Sequence, residues 1–157
     1  MEKIARYFLV LIFFFLFSFQ KSSAELLKPN DGLKPFDVVK IQLRALKNNN
    51  KPYKNAGIKQ TWEFAHPSNK IFTGPLSRFI KLLNMDGYNV LLNHMEHKIV
   101  EIFNSEKKFI YEVTILDREN FFFKYMWQVE KFLNGGSLNN CWLTTQVSLP
   151  TSLGSSI

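Results

Sequence analysis

Cysteine is almost missing from this chain: Cys141 is the only one among 157 residues. A single cysteine excludes an internal disulfide, so the fold has to hold by its apolar core alone. Asn-x-Ser/Thr sequons are absent too, which removes glycosylation as a marker of a eukaryotic secretory route. There is no run of five like charges, no aromatic RNA-binding motif and no zinc-finger spacing. Nucleic acid is thereby set aside as a partner. No serine sits in a nucleophile elbow, and neither a phosphate-binding glycine loop nor a dinucleotide fingerprint occurs. No cofactor and no metal is implied. The longest apolar run, residues 8–19, is interrupted only by Ser18. It is shorter than the ~20 residues that a bilayer-spanning helix needs.

What is present begins with that run. Lys3 and Arg6 precede it against the single acid Glu2, and Lys21-Ser22-Ser23-Ala24 follows it. This is the layout of a secretory signal peptide over residues 1–24, with cleavage expected after Ala24. The expected destination is the periplasm or the exterior. The alternatives are a thylakoid or plastid lumen, or a chain anchored in the membrane by an uncleaved leader. Membrane contact is expected only through that leader. The whole chain carries a net charge of +7 with its lysines scattered, which reads as solubility, with attraction to anionic lipid or an acidic partner as the alternative. Beyond the leader lies enough chain for one domain with its own core. Phenylalanine is unusually frequent, at 16 residues, though several of them sit in the leader. Cys141, beside Trp142 in an apolar stretch, reads as a small buried hydrophobe.

Residues 25–34 are punctuated by Pro, Asn and Gly and read as a lead-in loop. A first helix is expected over residues 35–46, with Pro35 and Asp37 in its first turn and Phe36, Val39, Leu43 and Leu46 as its apolar stripe. A second is expected over residues 58–65, with Ile58, Trp62 and Ala65 on one face; Pro67 stops it. A third starts at Thr73-Gly74-Pro75, buries Leu76, Phe79, Ile80 and Leu83, and closes at Gly87. After Gly87 the period becomes two. Strands are expected over residues 88–93, 97–103, 108–117, 121–132 and 140–149, and the tail 150–157 is expected to be flexible. Alternation on the last strand puts Trp142 with Thr144 and Gln146 on the outer face, and Cys141, Leu143, Thr145 and Val147 toward the helices.

Helices followed by an antiparallel meander make an α+β plan, one domain over residues 35–149. The segments Val38-Val39, Gln42-Leu43 and Ala45-Leu46 together with Gly57-Ile58 carry a likeness. So do Phe64-Ala65-His66-Pro67-Ser68-Asn69-Lys70, Thr73-Gly74-Pro75-Leu76 with Phe79, Leu91-Leu92-Asn93-His94 and Asn140-Cys141-Trp142-Leu143-Thr144. In these the chain resembles the nuclear transport factor 2-like, or SnoaL-like, superfamily, and within it an uncharacterised family of bacteria and photosynthetic organisms. The resemblance implies a cone: a strongly curved antiparallel sheet with about three N-terminal helices packed on its concave face. It brings no reaction with it. Relatives in the superfamily run cofactor-free lyase or isomerase chemistry inside the cone with a His or Asp.

The candidate ligand-lining residues are Trp62, His66, Tyr88, His94 and Trp127, aromatic bodies with polar tips of the kind that line small-molecule pockets. His94 and His97 bracket Glu96, but positions three apart on a strand point to opposite faces and two ligands make no metal site. His66, just before Pro67, reads either as a helix C-terminal cap bonding the loop Ser68-Asn69-Lys70 or as a general base. Asp117 opens a turn, where Asp commonly bonds local backbone, and Glu130 alternates outward from Trp127. No acid stands out as a catalytic base. The expected function is therefore a non-catalytic module binding a small apolar ligand or a partner, with a homodimer through the outer sheet face as one form of partner. The alternative is a lyase or isomerase using a His or Asp in the cavity.

Overall fold

The order of elements follows from where the backbone can and cannot continue a helix. The computed structural model describes residues 25–155; the leader reading falls on residues 1–24, outside them. Among the described residues four helices come first: α1 (Pro35–Lys47), α2 (Ala56–Glu63), α3 (Pro67–Thr73) and α4 (Leu76–Leu83). A 3-10 turn (Asn89–Leu91) leads into strands β1 (Glu96–Asn104), β2 (Lys108–Leu116), β3 (Phe121–Lys131), β4 (Trp142–Val147) and β5 (Thr151–Ser155). The fold is α+β with one five-stranded antiparallel sheet in the order β1-β2-β3-β4, and β5 also pairs with β3.

Helix α1 begins at Pro35, whose missing N–H costs nothing in a first turn, and Asp37 accepts the Lys34 amide at 3.1 Å. It buries Val38, Val39, Gln42, Leu43 and Leu46, while Phe36 stays at the margin, edge-on to Tyr111. Asn49, in the polar run that ends α1, also starts α2. Its carbonyl accepts from Gly57 and its side-chain oxygen from Ile58, both at 3.0 Å. Asn49 is buried for that reason. Helix α2 then crosses α1 so closely that a Cβ on Gly57 would stand 2.6 Å from the Ala45 carbonyl carbon. Its inward side is accordingly Gly57, Ile58 and Thr61, with Trp62 only half-buried.

Helix α3 occupies a stretch expected to be loop. Pro67 ends α2's reach and starts a new helix in the same place: His66 is extended (φ −60°, ψ 145°), as a residue before proline must be, and caps α3. Gly74, at φ +77°, breaks α3 from α4. The strand expected over residues 88–93 is instead the 3-10 turn. Asn93 takes φ +56° and its amide bonds the Leu46 carbonyl, so this short segment bonds itself and α1 before any sheet partner can claim it.

Strand β2 alternates as expected, with Tyr111, Val113 and Ile115 buried. They pack with Tyr125, Trp127 and Val129 of β3 against Val38, Val39, Leu43 and Leu46 of α1. The tail expected to be flexible instead carries β5, whose register runs from Phe121↔Ser155 to Lys124↔Thr151. It continues the line of β4 along the same edge of β3 after an interruption at Pro150, which has no N–H to give the ladder. That interruption, and the small polar residues after it, hide the strand from a period-two reading.

The facing of Trp142, Thr144 and Thr145 in β4 is corrected, while Val147 packs against the core as expected. Its register with β3 shifts between Gln128 and Val129, which adds a residue to β4 and reverses the alternation. Trp142 and Thr144 therefore point toward the helices. Trp142 meets Phe109 edge-on, with ring centroids 5.1 Å apart, and Thr145 instead accepts from Gln128 on the other face.

Candidate functional site

A cavity of about 90 Å³ lies where α1, α2, α3 and α4 meet strands β3 and β4. A water needs ~10–15 Å³ on this scale, so several waters or a small ligand fit. Much of its wall is apolar: Leu46, Ala65, Phe79, Leu82, Leu83, Leu91 and Val147. One end is polar, and Gln42 is its hub. Gln42 is 1% exposed and sits on the inward stripe of α1, between Val39 and Leu46. Its Oε1 accepts from Thr144 Oγ1 at 2.6 Å and from Trp127 Nε1 at 3.1 Å. Its Nε2 donates to the Thr61 carbonyl at 3.1 Å. Trp127 Nε1 also reaches Thr144 Oγ1 at 3.2 Å, and Thr61 Oγ1 donates to the Gly57 carbonyl. Low dielectric makes such a satisfied network stiff, because loosening one member strands another.

Asn69 and Thr73 of α3 bring further polar atoms to the wall, as does Tyr88. Asn69 Nδ2 donates to the Thr144 carbonyl at 3.4 Å, and the Tyr88 hydroxyl donates to the Val147 carbonyl at 3.2 Å. Asn69, Thr73, Tyr88 and Val147 are only half-buried, so the cavity meets solvent on the side of α3. Among the lining residues Tyr88 is the single titratable one. Burial pushes its phenol above the ordinary value, which keeps it neutral.

Of the expected lining residues, Tyr88 and Trp127 are in the wall and the other three are elsewhere. Trp62 packs on Phe79 at 4.9 Å with the Lys70 ammonium over its ring. His66 caps the N-terminus of α3, not the C-terminus of α2: its Nδ1 accepts from the Ser68 amide at 3.1 Å and from Ser68 Oγ at 2.6 Å. An accepting Nδ1 carries no proton, and burial lowers the ring's pKa against the pull of Glu130. His94 is 2% exposed and lies in the turn before β1, where its ring does converge with that of His97. Its Nδ1 faces the Leu91 carbonyl at 2.8 Å and its Nε2 faces His97 Nδ1 at 2.7 Å. A carbonyl only accepts, so His94 carries its proton on Nδ1 and His97 donates to His94 Nε2. The two ring nitrogens thus point at each other, an arrangement that joins them and leaves no cleft for a metal between them. Among the described residues no group of three or more His, Cys, Asp or Glu is placed to hold a metal ion. Asp117 Oδ1 accepts the amides of Glu119 and Phe121, and Glu130 bonds Gln128.

Sequence reasoning passed over Gln42, Thr61, Asn69, Thr73 and Thr144. For Gln42 the signal was there: a polar residue on an apolar stripe, which burial requires to be bonded. For Thr144 the shift in β4 concealed it.

These features define an α+β protein with a largely apolar, uncharged cavity between its helices and its sheet. Comparison with protein-family models, with characterised proteins and with solved structures finds no match.

Proposed function

We propose that the protein is an exported, non-catalytic binding module whose cavity takes a small neutral ligand with an apolar body and one hydrogen-bonding head. In this reading the chain is a member of the nuclear transport factor 2-like superfamily, and its sheet curls as a cone around α1. The observation that carries the proposal is the composition of the wall: apolar side chains close on a polar end built from Gln42, Thr61, Trp127 and Thr144, with no charged group among the lining residues. A charged ligand entering it would lose its hydration and gain no counter-charge. Proton abstraction would need a base there, and His66 and His94 have their Nδ1 atoms engaged elsewhere.

The test is a thermal-shift series with isosteric probes: benzamide and phenol as neutral members, benzoate and benzylamine as charged ones. A neutral probe at about 100 times its Kd should stabilise by about 2.7 kcal/mol. Tyr88→Phe should weaken that shift, and the charged members should leave Tm unchanged. Equal stabilisation by benzoate, or silence from all four together with turnover of a carbonyl substrate, would overturn the reading. Sequencing the N-terminus of protein recovered from the cell tests export; a chain starting at Glu25 is the expected result.

A further inference from the structure

The two most exposed large apolar side chains among the described residues are neighbours. Ile71 is 80% exposed and Phe72 is 82% exposed. Both stand on α3, a helix that buries none of its residues and is bounded by Pro67 and Gly74. A soluble surface gains nothing from such a pair, and water solvates it poorly. Along α3 and α4 the charge is of one sign. From Pro67 to Met85 the chain carries Lys70, Arg78 and Lys81 and no carboxylate. The nearest acid before that stretch, Glu63, is paired with Lys28 at 2.7 Å. The Arg78 stem lies against the α3–α4 junction, since a Cβ on Gly74 would stand 2.6 Å from its Cδ. Helix α4 turns Phe79 and Leu83 inward and leaves Arg78 and Lys81 exposed. Met85, 60% exposed, extends the apolar part.

An apolar tip on two helices that carry cations and no acid, with Glu63 before them paired to Lys28 and Asp86 just after Met85, matches one kind of surface: the boundary of an anionic bilayer, where side chains enter the acyl edge and ammonium or guanidinium groups meet phosphate. A stable protein interface buries about 800 Å² on each side. Two protruding side chains on a seven-residue helix are small for that and sufficient for shallow insertion. We propose that the α3–α4 surface docks on anionic lipid, with Ile71 and Phe72 inserted and the exposed Arg78 and Lys81 against the headgroups. Asn69 and Thr73 belong to the same helix and line the cavity, so docking would bring the cavity's solvent side next to the bilayer.

The experiment uses the full-length chain with Phe72→Cys labelled by an environment-sensitive fluorophore. Cys141 is 1% exposed and escapes the label. The readout is local, so it is indifferent to any hold the leader has on the vesicle. Vesicles of phosphatidylcholine, with and without about one third phosphatidylglycerol, are compared. On the anionic vesicles the emission should move to the blue and rise several-fold. It should return toward the free value in about 0.5 M salt, where the Debye length is short. Arg78→Glu with Lys81→Glu should abolish the change. A label on Glu106→Cys, in the β1–β2 turn, should stay in water throughout. The proposal fails if the label at 72 stays in water on anionic vesicles. It fails equally if the shift is the same on both compositions, survives the charge reversal, or also occurs at position 106.

Discussion

His94 is the residue whose surroundings most constrain its chemistry. Burial drives its pKa down from 6.5 to about 4, helped by His97 and Lys47 and opposed by the bond to Leu91. His97 is lowered as well, by burial and then by Lys47 and Arg44, the cations that face the pair from the end of α1. Folded-state values below the unfolded one mean that the unfolded chain takes the protons first. Stability is therefore full above pH 6.5 and falls as the pH drops toward 4. For His94 the loss is about 3 kcal/mol. Denaturant midpoints across that window measure it, and His94→Gln should flatten much of the slope. A wild-type profile level from pH 7 to 4 would refute the assignment. Gln42 belongs to the same scale. Gln42→Leu strips Trp127 Nε1 and Thr144 Oγ1 of an acceptor and the Thr61 carbonyl of a donor, and should cost about 2 kcal/mol in equilibrium unfolding. Gln42→Glu keeps the shape but brings in a charge, and should cost more at neutral pH than at pH 4.

At the scale of elements the two edges of the sheet are protected differently. Beyond β4, the segment Phe64-Ala65-His66 bonds Thr144 through both its amide and its carbonyl, which occupies that edge. Strand β1 is open, and there Glu96, Lys98 and Glu101 together with a register shift between Glu101 and Phe103 discourage a second copy from adding on. Strand β5 completes the start of β3. Its residues are all exposed, so removing residues 151–157 should cost only about 1–2 kcal/mol. The same truncation should speed hydrogen exchange in the Phe121–Lys124 part of β3. Unchanged exchange there would mean that β5 does not pair in solution. These elements also show what a sequence can disclose. Helix α1, β2 and β3 were legible because burial on one face repeats at a regular period over nine or more residues. Helix α3 was not, since it buries nothing and so has no stripe. The inward Trp142 was not, since one extra residue in a strand reverses every facing beyond it and leaves no mark in composition. Of the expected site residues, Tyr88 and Trp127 reached the cavity, being aromatics next to core positions. His66 and His94 were drawn into capping and pairing by atoms a few residues away, which spacing alone does not reveal.

For the molecule as a whole, the cavity depends on how α1 and α2 are held over the sheet. That depends on Gly57, where the two helices touch backbone to backbone. A methyl there would overlap the Ala45 carbonyl oxygen and crowd Asn49 Cα at 2.8 Å. Gly57→Ala should therefore cost about 3 kcal/mol and, since the Thr61 carbonyl that accepts from Gln42 moves with α2, weaken ligand binding too. Thermal unfolding and the probe titration described above measure both effects; a variant as stable as wild type would mean that the helices part without penalty. The tight crossing has a consequence for descent. Cavity-lining residues are free to drift as the ligand changes, and surface residues to drift at random, but a position with room for one hydrogen is held in every lineage that keeps the fold. A distant cousin of this chain should still be recognisable by a glycine at this crossing after its other residues have been replaced.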